Sequence, residues 1–239
     1  MEQSKENNIS NTDLSTKTAL VLLSGGQDSV TCLAWALKKF TNVECISFDY
    51  GQRHKIELEC AKKIAKKLNL KHKILSIDTF QQLAPNALTH DIEIASENSI
   101  NNNLPNTFVP GRNLIFLTFA SAYAYSLKIE DLVTGVCQTD YSGYPDCREN
   151  TMQSLQNTIR LGMESNITLH TPLMHLTKAE TVKLIKELGF FELLKDSHTC
   201  YNGKRPACGK CKACLLRLKG FAEANEIDPL QYAKLDFEA

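Results

Sequence analysis

The hexapeptide Ser24-Gly25-Gly26-Gln27-Asp28-Ser29 has the make-up of a phosphate cradle. Two consecutive glycines let the backbone take positive φ and turn its N–H groups inward with no Cβ in the way. Asp28 and Ser29 then stand at a helix N-terminus, where unpaired N–H groups and the dipole favour an anion. No Gly-Lys-Ser/Thr follows the glycines, so this is not a Walker A loop. An ordinary glycine turn with a Ser or Asp N-cap is the simpler alternative. A second cluster, Cys200, Cys208, Cys211 and Cys214, lies within fifteen residues. The two-residue gaps let neighbouring sulfurs converge on one ion, and Gly209 eases the turn. Four thiolates close a tetrahedral zinc shell with no open position, so the expected role is structural. An iron–sulfur cluster is the competing occupant. Binding energy at such a site is folding energy, so metal-free protein should lose at least this C-terminal region.

Two further stretches carry chemistry. In Phe108-Val109-Pro110-Gly111-Arg112-Asn113, the arginine sits in or next to the first turn of an apolar helix. A cation there is disfavoured by the dipole, so Arg112 is expected to be held by a carboxylate or phosphate, or to pair with a nearby Asp. Gln138 to Arg148 is the loop densest in polar and aromatic side chains.

The elements that position these residues alternate. Strands are expected at Thr18–Leu23, Val43–Asp49, Lys73–Ile77, Asp131–Cys137 and Ile167–Leu173. Helices are expected at Val30–Phe40, across Ala61, Ile64, Ala65 and Leu68, at Leu114–Leu127 and at Glu149–Glu164. The Thr177-Lys178-Ala179-Glu180 capping box opens a last helix to Leu188, stopped by Gly189. Lys62, Lys63, Lys66 and Lys67 read as a solvated helix face. This repetition predicts an α/β fold, an open, mostly parallel sheet with helices on both faces, followed by a small four-cysteine zinc subdomain. The polar loops after strands one, two and four fall at strand C-terminal ends, where open sheets place their ligand crevice. The long polar stretch Asp78–Asn106 either closes over a site, contacts a partner subunit or is a disordered insertion.

Residues 1–17 read as a flexible polar tail, 18–195 as the α/β domain and 196–239 as the knuckle with a final helix. The tail lacks the apolar core of a signal peptide, and the 14-residue run Leu114–Leu127 suits a buried helix and is too short to span a bilayer. A cytoplasmic protein with no membrane contact is expected. Lys+Arg and Asp+Glu both number 27, so no global field draws it to nucleic acid. Between Ser197 and Ala222 there are six Lys/Arg and no Asp or Glu. That stretch could meet RNA phosphate, but compensation of a doubly negative zinc–thiolate centre is the preferred account. Cys32, Cys45 and Cys60 occupy apolar positions as small hydrophobes.

The 24–29 loop resembles that of the ATP pyrophosphatase superfamily, whose members cut ATP between the α- and β-phosphates and transfer AMP to a substrate oxygen. There the nucleotide stretch runs on into the first helix, here Leu23, Ser24, Gly25, Gly26, Gln27, Asp28, Ser29, Val30, Thr31, Cys32 and Leu33. Six separated motifs in order narrow the resemblance: the loop itself, Phe-Asp-Tyr-Gly-Gln-Arg-His (48–54), Phe-Val-Pro-Gly-Arg-Asn (108–113), Gly-Val-Cys-Gln-Thr-Asp-Tyr-Ser-Gly-Tyr-Pro-Asp-Cys-Arg (135–148), Thr-Pro-Leu-Met (171–174), and Cys-Tyr-Asn-Gly (200–203) with the cysteine triplet. Together they resemble the 7-cyano-7-deazaguanine synthase family of queuosine biosynthesis, from about Thr18 to the final helix. Two departures are an extra tail before Lys17, and His175 where an aromatic such as Trp is usual.

The resemblance implies a carbon–nitrogen-forming ligase acting on 7-carboxy-7-deazaguanine, ammonia and two ATP per turnover. Adenylation makes the carboxylate a mixed anhydride, ammonia gives the amide, and a second adenylation leads to the nitrile. It implies pyrophosphate on the 24–29 loop, Mg²⁺ with Asp28 as a ligand, and structural Zn²⁺. Asp28, Arg112 and Asp140 are the implied catalytic residues. Arg112 would neutralise the substrate carboxylate or the α-phosphate, with Asn113, Asp140 and Tyr144 lining the deazaguanine pocket. Arg53 and His54 would meet phosphate or hold their loop; no general base is indicated. A homodimer is implied, without direct nucleic-acid contact. The rivals are a tRNA thiolase using Cys137 or Cys147 as persulfide carrier, an ammonia-dependent amide synthetase that stops at the amide, and a non-enzymatic RNA-binding zinc module.

Overall fold

The computed structural model describes residues 17–52, 55–77, 79, 104, 107–139 and 144–233. Arg53, His54, Asp140, almost all of the stretch 78–106 and the tail before Lys17 lie outside the described residues. Among the described residues five strands form one parallel sheet: β1 (Thr18–Leu22), β2 (Asn42–Asp49), β3 (His72–Ser76), β4 (Asp131–Val133) and β5 (Thr168–His170). Their order is β3-β2-β1-β4-β5. The chain runs outward from β1 through β2 to β3 and then crosses back to β4 on the other side of β1, so the loops after β1 and β4 flank the switch point where such sheets bind ligands.

Among the described residues six α-helices cross between or follow the strands: α1 (Gln27–Lys39), α2 (Ile56–Lys67), α3 (Arg112–Ser126), α4 (Glu149–Gly162), α5 (Lys178–Glu187) and α6 (Lys212–Glu223). The period-two alternation of β1 divides the core. Ala19 and Val21 face a cluster built on α1, α2 and α5, whereas Leu20 faces one built on α3 and α4. Helices therefore cover both faces, as the pattern requires. Among the described residues no helix is long and apolar enough to cross a membrane.

Several expectations shift by a few residues. Helix α1 begins at Gln27 rather than Val30, which draws Asp28 and Ser29 into its first turn. Strand β4 ends at Val133, short of Cys137. Gly135 explains why: a Cβ there would lie 3.1 Å from the Ser29 amide nitrogen, so the chain after β4 presses on the first turn of α1 and leaves the ladder. Helix α3, expected to be buried, buries Leu117, Ala120 and Ala124 on one face. Its Phe119 and Tyr125 stay 45% and 57% exposed among the described residues. The lysine face of α2 is only partly free, since Lys63 and Lys67 bind Asp196 at 2.9 and 3.1 Å.

Candidate functional site

Loops from the C-terminal ends of β1, β2 and β4 line one cavity of about 330 Å³, closed by the start of α3, α5 and the knuckle. Its floor is the Ser24–Ser29 loop. The Ser24 hydroxyl donates to Ser29 Oγ (3.0 Å) and accepts the Gly26 N–H (3.2 Å). Ser29 Oγ accepts the Gly25 N–H (3.1 Å) and donates to the Gly26 carbonyl (2.9 Å). The two hydroxyls thus fix the loop before any ligand arrives. Gly25 adopts φ +92°, and a Cβ on it would fall 2.0 Å from the Glu57 carbonyl oxygen. Only glycine lets this loop pack against the first turn of α2.

Asp28 turns one carboxylate oxygen to Lys178 Nζ at 2.6 Å, while the other is buried without a hydrogen-bond partner among the described residues. An orphaned carboxylate oxygen beside a phosphate loop suits a hard cation, which prefers oxygen ligands. Lys178 was missed in the sequence because its tetrapeptide reads as a helix cap. The capping box is present, with Thr177 Oγ1 accepting the Glu180 N–H and the Glu180 carboxylate accepting the Thr177 N–H.

At the other end of the cavity, Arg112 has no ion-pair partner among the described residues. Its guanidinium lies over the Tyr50 ring, 5.9 Å from the centroid, and donates to the phenol at 3.5 Å. Burial opposes its charge, but Tyr50, Tyr144, Asp146 and Cys147 outweigh this and hold its pKa above the ordinary value. Among the described residues Arg112 makes no direct pair with an Asp. Asp146 instead accepts the Asn113 backbone N–H at 3.0 Å, and Asn113 Nδ2 donates to Cys147 Sγ at 3.2 Å. Tyr144 shares a 2.7 Å hydrogen bond with Thr107. Phe48 and Phe116 stack with centroids 4.6 Å apart, and Tyr50 lies 5.3 Å from Phe116. These aromatics face the cavity and suit a planar heterocycle.

Glu57 also lines the cavity. Burial pushes its carboxyl up to about 7, partly opposed by Arg112. A group that changes charge near neutrality can take up a proton during a reaction. It lacks a local sequence signal, because α2 reads as a lysine-rich amphipathic helix. Of the leading site expectations, Ser24, Gly26, Gln27, Asp28, Ser29, Arg112, Asn113 and Tyr144 meet in this cavity, as do Cys137 and Cys147. Val30, Thr31, Cys32 and Leu33 are buried in α1 away from the lining.

The four knuckle sulfurs lie within 4.8 Å of one another. Cys208 Sγ accepts the Lys210 and Cys211 N–H groups at 3.5 and 3.3 Å, and Cys200 Sγ accepts the Cys208 N–H at 3.4 Å. Such donors favour thiolates. Hydrogen bonds from Cys211 and Cys214 pull the Cys200 thiol well below its ordinary value. The donor set, all sulfur and mutually close, fits a tetrahedral thiophilic metal. Behind it Arg217, 1% exposed, makes a bidentate bond to Asp228 (2.7 and 2.9 Å) and donates to Ser197 Oγ (2.8 Å). Arg205 reaches Cys60 Sγ at 2.8 Å. Two cations of the basic stretch are thus spent on local partners. The knuckle touches the phosphate loop directly, since the His198 N–H donates to the Gly25 carbonyl at 2.9 Å.

The family model described as "Queuosine biosynthesis protein QueC" matches residues 18–225. A 7-cyano-7-deazaguanine synthase from Chromobacterium violaceum is 59% identical over 220 residues, covering 90% of this chain and 94% of that protein. Its namesake from Bacillus subtilis is 53% identical over 208 residues, covering 86% and 94%. Among solved structures, an NH3-dependent NAD synthetase from Campylobacter jejuni superposes with a TM-score of 0.43 at 20% identity, covering 76% of this chain and 69% of that one.

Proposed function

The chain belongs to the queuosine biosynthesis protein QueC family, and we propose that it is an ATP-dependent ligase that converts 7-carboxy-7-deazaguanine and ammonia to 7-cyano-7-deazaguanine. The observation that carries this reading is one cavity with a phosphate loop at one end and Arg112 beside an aromatic wall at the other. A carboxylate is a poor electrophile, and attack of its oxygen on the α-phosphate of ATP turns it into an acyl adenylate with loss of pyrophosphate. Ammonia displaces AMP and gives the amide plus a proton. The amide oxygen then attacks the α-phosphate of a second ATP with loss of a second pyrophosphate, and departure of AMP with loss of the two remaining N–H protons leaves the nitrile. Each carboxylate oxygen departs on an AMP.

The residues divide these tasks. With the Gly25 and Gly26 N–H groups bonded to Ser29 and Ser24, the N–H groups of the first turn of α1, from Gln27 on, hold the pyrophosphate portion against the helix dipole. Arg112 orients the substrate carboxylate and neutralises charge growing at the α-phosphate. Phe48, Tyr50 and Phe116 provide a flat wall for a heterocycle, and Asn113, Tyr144 and Asp140 are proposed to read the edges of the deazaguanine. Glu57 accepts a proton released in the nitrogen-transfer steps. Asp28 would hold Mg²⁺, which when bound screens the phosphate oxygens. Cys200, Cys208, Cys211 and Cys214 would hold Zn²⁺, which supplies folding energy and no reaction step. The protein acts on a free heterocycle and not on tRNA, in the cytoplasm and as a homodimer.

One reaction tests this. Metal-replete protein with Mg-ATP, ammonium and 7-carboxy-7-deazaguanine labelled with ¹⁸O in the carboxylate is followed by mass spectrometry. The expected outcome per nitrile is two pyrophosphate and two AMP, each AMP carrying one label. An amide end point would make it an amide synthetase, and no turnover would overturn the assignment.

A further inference from the structure

Among the described residues four helices have their first residue in the cavity lining: α1 at Gln27, α3 at Arg112, α5 at Lys178 and α6 at Lys212. Three of them, at Arg112, Lys178 and Lys212, place a cation at that position, where the helix dipole opposes it. Arg112 has a use in the reaction above. Lys178 has none yet, although its side chain is only 15% exposed and its ammonium sits 2.6 Å from Asp28, inside the phosphate-loop motif.

The placement of Lys178 is imposed from two sides. The Thr177–Glu180 capping box fixes the turn on which it stands. Gly220 of α6 lies so close that a Cβ there would be 2.6 Å from the Lys178 Cβ. The root of the side chain is therefore clamped, while the four-carbon stem leaves its ammonium able to swing. A lysine of this kind acts as a movable point charge for phosphate. Asp28 has the complementary problem. A carboxylate at the start of α1, on a loop built for anions, would repel a triphosphate unless its charge is engaged by a cation.

We propose that Lys178 is the phosphate-binding lysine of this cavity, paired with Asp28 when no nucleotide is present and handed to the pyrophosphate portion of Mg-ATP as Asp28 turns to the metal. The exchange keeps both charges neutralised at every stage, so neither side chain is stranded in a half-buried site. It also couples the two ligands: a divalent cation that occupies Asp28 frees the ammonium, and the freed ammonium tightens phosphate binding. The inference rests on the nucleotide reading of the Ser24–Ser29 loop and adds to it a residue and an order of events.

Calorimetric titration of the metal-replete, full-length protein with ATP, pyrophosphate and AMP tests the exchange. With Mg²⁺ present, Lys178→Met should weaken ATP and pyrophosphate by about 10- to 100-fold, the range of a lost charge-assisted contact. AMP should change by less than about 3-fold, and Lys178→Arg should recover most of the loss. Without Mg²⁺, Asp28→Asn should tighten pyrophosphate, and the double variant Asp28→Asn with Lys178→Met should erase that gain. Should Lys178→Met fail to fold, the Asp28→Asn arm decides alone. Folded Lys178→Met that binds pyrophosphate like the wild type, or Asp28→Asn with unchanged or weaker metal-free binding, overturns the role of Lys178. Wild-type protein that binds neither ATP nor pyrophosphate removes the nucleotide reading itself, and this inference with it.

Discussion

The phosphate loop and the cysteine knuckle are joined by a backbone hydrogen bond from His198 to Gly25, yet they are organised by opposite means. In the loop, Ser24 and Ser29 exchange hydrogen bonds with the backbone of Gly25 and Gly26, so the polypeptide alone fixes the shape its ligand will meet. In the knuckle, four sulfurs within 4.8 Å of one another would repel as thiolates. Backbone N–H donors offset part of that repulsion, and a cation is needed to close the shell. One site is shaped by the chain itself. The other has a donor set that a metal would complete, and would then hold part of the chain. Because the knuckle grips the loop, the first would inherit a metal dependence from the second.

The largest test of this asymmetry is Cys200→Ser. Losing one of four ligands should release the metal and lower stability by about 5 kcal/mol or more, read by elemental analysis and denaturant melts. ATP binding should fall with it, although no sulfur lines the phosphate loop. A Cys200→Ser protein that keeps wild-type ATP affinity would show the two regions to be independent.

Gly25→Ala attacks the loop from the other side. The new methyl meets the Glu57 carbonyl oxygen, and φ +92° suits no side chain. The expected cost is about 3 kcal/mol, with ATP binding lost and metal content kept at one equivalent. Loss of metal in this variant would mean that the grip runs both ways.

Glu57→Gln sharpens the electrostatics between the regions. A carboxyl at about 7 in the folded protein ordinarily titrates near 4.5. The native state therefore holds the proton more tightly, and stability should fall as pH rises from about 4.5 through 7. Above that window the charged carboxylate costs at most about 3 kcal/mol. Glu57→Gln should match the wild type in denaturant melts at pH 4 and exceed it at pH 8, while the acid limb of its turnover profile disappears. Equal stabilities at pH 8 would indicate that Glu57 is not held in the burial described.

The mildest change is Thr177→Ala, which removes the α5 N-cap and should cost about 1 kcal/mol. Because this turn carries Lys178, the variant should raise the KM for ATP while leaving metal content and the melt of the knuckle unchanged. A variant with unchanged KM would separate the cap from the site.

What could be read in advance follows the same divide between local and distant construction. The Ser24–Ser29 loop and the Cys208–Cys214 turn are contiguous, so their chemistry is spelled in adjacent residues. The parallel sheet was legible because β1, β2 and β4 carry apolar runs separated by helical periodicity. Lys178, Glu57 and Phe116 gave no such signal. Each looks like an ordinary helix residue, and only the tertiary approach of α5, α2 and α3 to the switch point makes it part of a site. The end of β4 was overread for a related reason: Val136 and Cys137 are apolar enough for a strand, but the contact of Gly135 with α1 turns them out of the ladder. Arg217 reads as one of six cations compensating a thiolate centre, and only Asp228, eleven positions on, reveals it as a buried anchor.

The bond from His198 to Gly25 also sets an order in time. Translation delivers the phosphate loop long before the knuckle, and the sheet around it can assemble as its strands emerge. The backbone that grips Gly25, together with Thr199, Tyr201 and Lys212 of the cavity wall, is made more than a hundred residues later. A nascent chain would therefore carry an unfinished form of the proposed nucleotide site until the knuckle had emerged and closed on a metal. Messages truncated before Cys200 should yield chains that hold no nucleotide, so unfinished copies would not withdraw ATP from the cell.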